Sequence, residues 1–143
     1  MRDQVNTEAA RDLTPNLPEV VAEVSALFER YEQALIDKNV DVLDATFWNS
    51  PYTIRLAHHE HGYGFERIHA HRVARPPGPG TKEKRYRVDI LTLGRDIATV
   101  NLVNKVRGKD MTWRQSQTWV RFPDAGWKVV SAHVSMISEQ PVL

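Results

Sequence analysis

The sequence predicts an α+β fold in which helices lie across one face of a curved antiparallel sheet. Three observations carry that expectation. An amphipathic stripe runs from Val20 to Leu35, four extended runs follow Lys84, and the helical segments precede the strands rather than alternating with them. At 143 residues the chain suffices for one substantial core and is short for two. The expected organisation is a flexible N-terminal arm over residues 1–16 and a single domain over residues 17–140.

The elements follow in order. Asn16-Leu17-Pro18-Glu19 reads as a helix start, because Asn caps, Pro tolerates the first turn and Glu19 suits the positive end of the helix dipole. That helix runs to about Lys38, with Val20, Val24, Leu27, Phe28, Tyr31, Ala34 and Leu35 on its apolar stripe, so the Tyr31 phenol is expected inside. A second, short helix over Asp41–Trp48 is expected to be capped by Asp41. Tyr52–Ala57 alternates as a strand, Tyr52, Ile54 and Leu56 on one side and Arg55 on the other. Gly62-Tyr63-Gly64 reads as a turn, and Phe65 to Val73 or Ala74 as a helix with Phe65, Ile68 and Val73 inward. Pro76-Pro77-Gly78-Pro79-Gly80 reads as a loop near a pocket mouth or a plain connector.

The remainder reads as an antiparallel meander of Lys84–Leu93, Ile97–Val106, Met111–Phe122 and Trp127–Ile137. Turn signals separate the runs at Gly94-Arg95-Asp96, Gly108-Lys109-Asp110 and Pro123–Gly126. The third run places Trp113, Gln115, Gln117, Trp119 and Arg121 on one face and Arg114, Ser116, Thr118, Val120 and Phe122 on the other. Both faces mix polar and apolar side chains, so part of this sheet is expected to line a wet pocket or an interface.

Composition excludes several function classes. Nineteen basic and 18 acidic side chains leave a formal net charge of +1, which gives no reason to expect nucleic acid or a membrane surface as partner. A small anionic ligand stays open. The absence of cysteine removes disulfides, thiolate metal sites and a Cys nucleophile together. Met1–Asn16 carries no apolar run of the signal-peptide type, and no stretch of about eighteen apolar residues occurs, so a cytoplasmic location is expected.

The segments Phe28-Glu29-Arg30-Tyr31-Glu32-Gln33-Ala34-Leu35, Phe47-Trp48, Thr53-Ile54-Arg55, Tyr63-Gly64-Phe65-Glu66, Arg72-Val73-Ala74-Arg75 and Gly94-Arg95-Asp96-Ile97-Ala98-Thr99 carry a resemblance that culminates in Arg114-Gln115-Ser116-Gln117-Thr118-Trp119-Val120-Arg121-Phe122. As an ordered set over residues 18 to 138 they resemble the AtzH/HpxZ proteins of the nuclear transport factor 2-like (SnoaL-like) superfamily. The resemblance implies a cone-shaped fold. It also implies either a cofactor-independent decarboxylating amidohydrolase that converts 1,3-dicarboxyurea to allophanate in cyanuric acid catabolism, or a companion protein of oxalurate catabolism. The proposed catalytic pair of the former, a helical Tyr and a strand Arg, falls on Tyr31 and Arg55. Two departures from the family pattern are Ala57-His58-His59-Glu60-His61-Gly62, where relatives carry small or aliphatic residues, and His71, where a Phe is usual.

On residue chemistry alone, Tyr31 fits either a core phenol or a proton donor, and Arg55 either a surface cation or a bidentate carboxylate anchor. With the resemblance, the second reading of each is expected. A dianionic ureido substrate needs a further cation, for which Arg72, Arg75 and Arg114 are the candidates; Arg72 and Arg75 share one helix face. Gln115, Ser116, Gln117 and His133 sit on facing strands and could hold a ureido carbonyl or bond across the sheet. Trp48 and Trp119 read as core or interface aromatics. His58, His59, His61, His69 and His71 read as rim imidazoles rather than metal ligands, since the spacing offers no convincing set, and no metal or cofactor is expected. Gly62-x-Gly64 lacks the remainder of a phosphate loop. Large side chains on both faces of Met111–Phe122 predict a homodimer or homotetramer built on the outer sheet face.

Overall fold

A computed structural model describes residues 12–76, 85–105 and 111–138. Residues 1–11 of the arm, most of the Pro-Gly segment and the turn at Gly108-Lys109-Asp110 lie outside the described residues. Helix α1 (Pro18–Asp37) and helix α2 (Val40–Thr46) lead into strands β1 (Ile54–Ala57) and β2 (Glu60–Tyr63), helix α3 (Phe65–Ala74), then β3 (Arg85–Leu93), β4 (Ile97–Lys105), β5 (Thr112–Phe122) and β6 (Gly126–Ile137). The strands form one six-stranded sheet in the order β2-β1-β6-β5-β4-β3. The meander is antiparallel as expected, but β1 joins it parallel to β6, so the sheet is mixed.

The helices bury their stripes on one sheet face. Val20, Val24, Phe28 and Tyr31 of α1 enter a single core with Val100 and Leu102 of β4, Trp119 of β5 and Val129 of β6. Burial of each such side chain contributes roughly 1.5–3 kcal/mol. The inner positions are Ala98, Val100 and Leu102 on β4, paired with Trp119, Gln117 and Gln115 on β5. A register shift at Thr118/Trp119 puts Val129 and Ala132 both inward on β6, and such a bulge bends the strands.

Several local expectations are corrected. Helix α1 has Leu17, not Asn16, at its N-cap, and no side chain caps it. The Asn16 carboxamide instead accepts from Thr92 N at 3.0 Å, while Asn16 N donates to Thr92 O at 2.9 Å. With Pro15 bridged to Leu93, the described end of the arm is therefore held against β3. Helix α2 is capped by Asn39, whose Oδ1 accepts from Val42 N at 3.2 Å, so Asp41 lies in the first turn. The Gly62-Tyr63-Gly64 turn is in fact the end of strand β2 and the N-cap of α3. Ile68 is buried as expected, but Val73 is exposed and Arg72 is the other side chain that the helix turns inward.

Candidate active site

Strands β1 and β2 form a hairpin whose two-residue tip is His58-His59, with Arg55 opposite Gly62 and Ala57 opposite Glu60. Arg55 also pairs with inward-facing Ala132 on β6, so Thr53 and Arg55 turn to the inside while Ile54 turns out. The apolar side of this strand is the outer one. Gly62 makes the arrangement possible, because a Cβ there would lie 2.8 Å from both the Arg55 carbonyl oxygen and Ile68 Cγ1. Helix α3 thus closes over the hairpin directly beside Arg55.

Between α3, the hairpin and the ends of β5 and β6 lies a cavity of about 660 Å³. Arg55, Glu60, His71 and Arg75 form its polar side, and Trp113, Val134 and Met136 its apolar wall. The carboxylate of Glu60 is the hub of the polar side. Arg75 Nη2 donates to Glu60 Oε2 at 3.0 Å and stands 2.8 Å from Oε1, and His71 Nδ1 stands 2.8 Å from Oε2. Arg55 Nη1 reaches Oε1 only at 3.4 Å, although Arg55 is 8% exposed. A buried guanidinium held by one long bond keeps most of its donors for a ligand. Burial and then the charge of Arg55 hold the Arg75 guanidinium below the usual arginine range, opposed by Glu60 and Tyr31.

Arg72 lies deeper, 2% exposed, its guanidinium 4.2 Å above the Phe47 ring. Its Nη1 donates to Leu43 O at 2.9 Å and to Asp44 Oδ1 at 3.3 Å, while Nη2 is buried without a hydrogen-bond partner. Desolvation holds the Arg72 guanidinium below the usual arginine range, opposed in part by nearby Tyr31 and Asp44. Tyr31 itself is 1% exposed, with its ring 5.8 Å from that of Phe47. Arg55 and Arg75 thus line the cavity, whereas Tyr31 and Arg72 are buried and do not, so the expected pair Tyr31 and Arg55 does not share the lining.

The other expected contacts divide by sheet face. Gln115 points inward and is half-buried, and Gln117 is buried with its Oε1 accepting from Trp119 Nε1 at 3.0 Å. Arg114, Ser116 and His133 lie on the outer face, away from the cavity. Ser116 and His133 do face each other across the strands, but Ser116 Oγ bonds Asn101 Oδ1 at 2.6 Å, within the sheet. The reason is parity: one residue along a strand moves a side chain to the opposite face. Of the histidines, His58, His59 and His71 line the cavity, while His61 and His69 do not. His58 and His59 pack edge to face at 4.1 Å, His69 bonds Asp44, and His71 bonds Glu60. Glu60 is not among the expected site residues; its signal as an ionic hub is the shortness of the hairpin, which returns the chain to Arg55 within five residues.

A model of the AtzH-like family matches residues 14–140. A cystatin-like fold protein from Burkholderia xenovorans is similar at 38% identity and TM-score 0.82, over 90% of this chain and 99% of that one. A DUF3225 family protein of unknown function from Pectobacterium atrosepticum is similar at 40% identity and TM-score 0.79, over 87% and 95%. A nuclear transport factor 2-like superfamily protein from Salmonella enterica, at 22% identity and TM-score 0.64 over 87% and 95%, shares the fold. No curated protein matches.

Proposed function

The chain belongs to the AtzH-like family and has the nuclear transport factor 2-like fold, and from that premise we propose that it is a cofactor-independent decarboxylating hydrolase of a small N-carboxylated urea. The reaction is of the type that turns 1,3-dicarboxyurea into allophanate. The observation that carries the reading is the buried Arg55 guanidinium, which faces an apolar-walled cavity with most of its donors uncommitted.

In this reading Arg55 holds the substrate carboxylate bidentately. The N–C bond to the departing carboxylate breaks, carbon dioxide leaves, and the nitrogen takes a proton that the Tyr31 hydroxyl, which does not itself line the cavity, delivers through one intervening water. The phenolate so formed lies in the field of Arg72 and Arg75, whose charged forms it favours in return, until water restores the proton. Trp113, Val134 and Met136 exclude water and suit a neutral product better than an anion.

The test is turnover. Purified protein incubated with mono- and dicarboxylated ureas and with oxalurate should release carbon dioxide from an N-carboxylated urea without added metal or cofactor. Ammonia release would instead mark an amidase step. Protein that turns over none of them, yet raises the activity of a ureide amidase when added to it, would place the chain as a non-catalytic partner.

A further inference from the structure

We infer that His71 is a second anion-binding group of the cavity, one that takes a proton from solvent onto Nε2 as a dicarboxylate enters, so that dianion binding and proton uptake are coupled. The inference rests on the proposed reading for the class of ligand, and on charge and geometry for the residue. Two guanidinium groups, Arg55 and Arg75, line the cavity beside one carboxylate, Glu60. Together they leave one positive charge. A dicarboxylated urea brings two negative ones, and neither remaining arginine candidate makes up the difference. Arg72 is paired with Asp44 and does not line the cavity, and Arg114 is on the other sheet face.

His71 is placed to supply the missing charge. It lines the cavity from α3, its side chain is 29% exposed, and its Nδ1 stands 2.8 Å from Glu60 Oε2. At that separation one of the two atoms carries a proton, and an ionised carboxylate has none, so the proton is on Nδ1. Nε2 is therefore the nitrogen that titrates, and no hydrogen bond among the described residues occupies it. Glu60 keeps its contacts with Arg75 and Arg55, and the ligand meets only the far side of the imidazole. The charged and titratable groups around His71 are Arg75 on its own helix, Arg55 on β1, Glu60 on β2, and His58 and His59 at the hairpin tip. Trp113, Val134 and Met136, from β5 and β6, add no charge. The guanidinium groups oppose an imidazolium and Glu60 favours it, so a second ligand carboxylate tips the balance toward the charged form. His58 and His59 are exposed, where water and salt screen them. The same proton balances the proposed reaction. Breaking the N–C bond leaves its electron pair on nitrogen, which needs one proton, and the product has one negative charge fewer for the site to hold.

The test uses malonate, an unreactive dicarboxylate, and malonamate, its monoanionic amide. Calorimetric titration of each at pH 8 in HEPES and in Tris, which give up a proton with different heats, counts the protons taken up on binding. Wild-type protein should take up about one proton per malonate bound and close to none per malonamate. Because the bound dianion favours the imidazolium, malonate affinity is greatest where His71 is already charged and should fall about tenfold from pH 8 to pH 9, with malonamate affinity level. His71→Phe should abolish the uptake and weaken malonate relative to malonamate by about tenfold or more. No proton uptake with malonate in the wild-type protein, or no binding of malonate, would overturn the inference whether or not the variant folds. Uptake that persists in folded His71→Phe would overturn it as well. The outcome is separable from the catalytic reading. Proton uptake with malonate but no carbon dioxide release from a dicarboxylated urea leaves a proton-coupled dianion site and removes the decarboxylase, whereas carbon dioxide release without that uptake does the reverse.

Discussion

At the scale of single residues, Tyr31 and Arg55 divide the work of proton transfer and carboxylate holding, so they can be separated by substitution. Tyr31→Phe keeps the ring that packs 5.8 Å from Phe47 and removes only the transferable proton. It should lower kcat on the order of a hundredfold or more, with the melting temperature nearly unchanged; an unaltered rate in folded Tyr31→Phe would end the proposed mechanism. Arg55→Lys keeps charge and loses the fork, so KM should rise along with the fall in kcat. Arg72→Met tests the deeper layer. It deletes the bonds to Leu43 O and Asp44 and the stacking on Phe47, offset in part by removal of the unpartnered Nη2, so unfolding stability should fall by roughly 1–3 kcal/mol in a denaturant titration. Tyr31 was legible from the sequence because a 3.6-residue stripe fixes which helical side chains are buried. Arg55 was legible as opposite in face to Ile54 and Leu56. Which face was inside was not, because alternation has no sign until a helix covers one side of the sheet.

Elements show the same division between what periodicity encodes and what tertiary pairing decides. The long helix and the four-strand meander follow from patterns of nine residues or more, and the structure matches them closely. The hairpin β1–β2 has four residues per strand; alternation marks the first, but the second contains Gly62 and reads as a turn. That glycine is there for proximity, since the Ile68 side chain and the Arg55 carbonyl already occupy the space a methyl group would need. Gly62→Ala should therefore overpack the seam between α3 and the hairpin and cost about 1–3 kcal/mol. For a chain of this size that corresponds to a fall of roughly 2–12 °C in Tm, readable by calorimetry. It should also displace Arg55 and weaken binding of the N-carboxylated urea substrate. A variant as stable as the wild type, with affinity unchanged, would show that the seam yields freely. The two mistaken caps have a related cause. Asn16 and Asp41 have the right chemistry for capping, but Asn16 is drawn to β3 and Asn39 already occupies the cap position of α2.

For the whole molecule the question is what covers the other side of the sheet. Core, helices and cavity all use the inner face. The outer positions include Ile54, Tyr63, Leu91 and Ile97, each more than a third exposed, with Thr99, Thr118 and Val120 between them on neighbouring strands. Among the described residues no helix packs on this face. An apolar-flecked sheet face of this extent is a surface on which a second copy can pack symmetrically, each protomer presenting the same strands. The expected state is a homodimer or homotetramer assembled through it, which light scattering at micromolar concentration should read as a multiple of the 16.4 kDa chain mass. Thr118 sits mid-strand on that face, opposite Thr99 and Ser131. Thr118→Arg places a long cation against its own symmetry mate and should yield monomers with unchanged circular dichroism. If Thr118→Arg stays assembled, the interface lies elsewhere; if the wild-type protein is a monomer, the outer face is left to solvent. Because Thr118 is not among the residues that line the cavity, dissociation through Thr118→Arg should leave turnover of the N-carboxylated urea as it is, which separates assembly from chemistry in one variant.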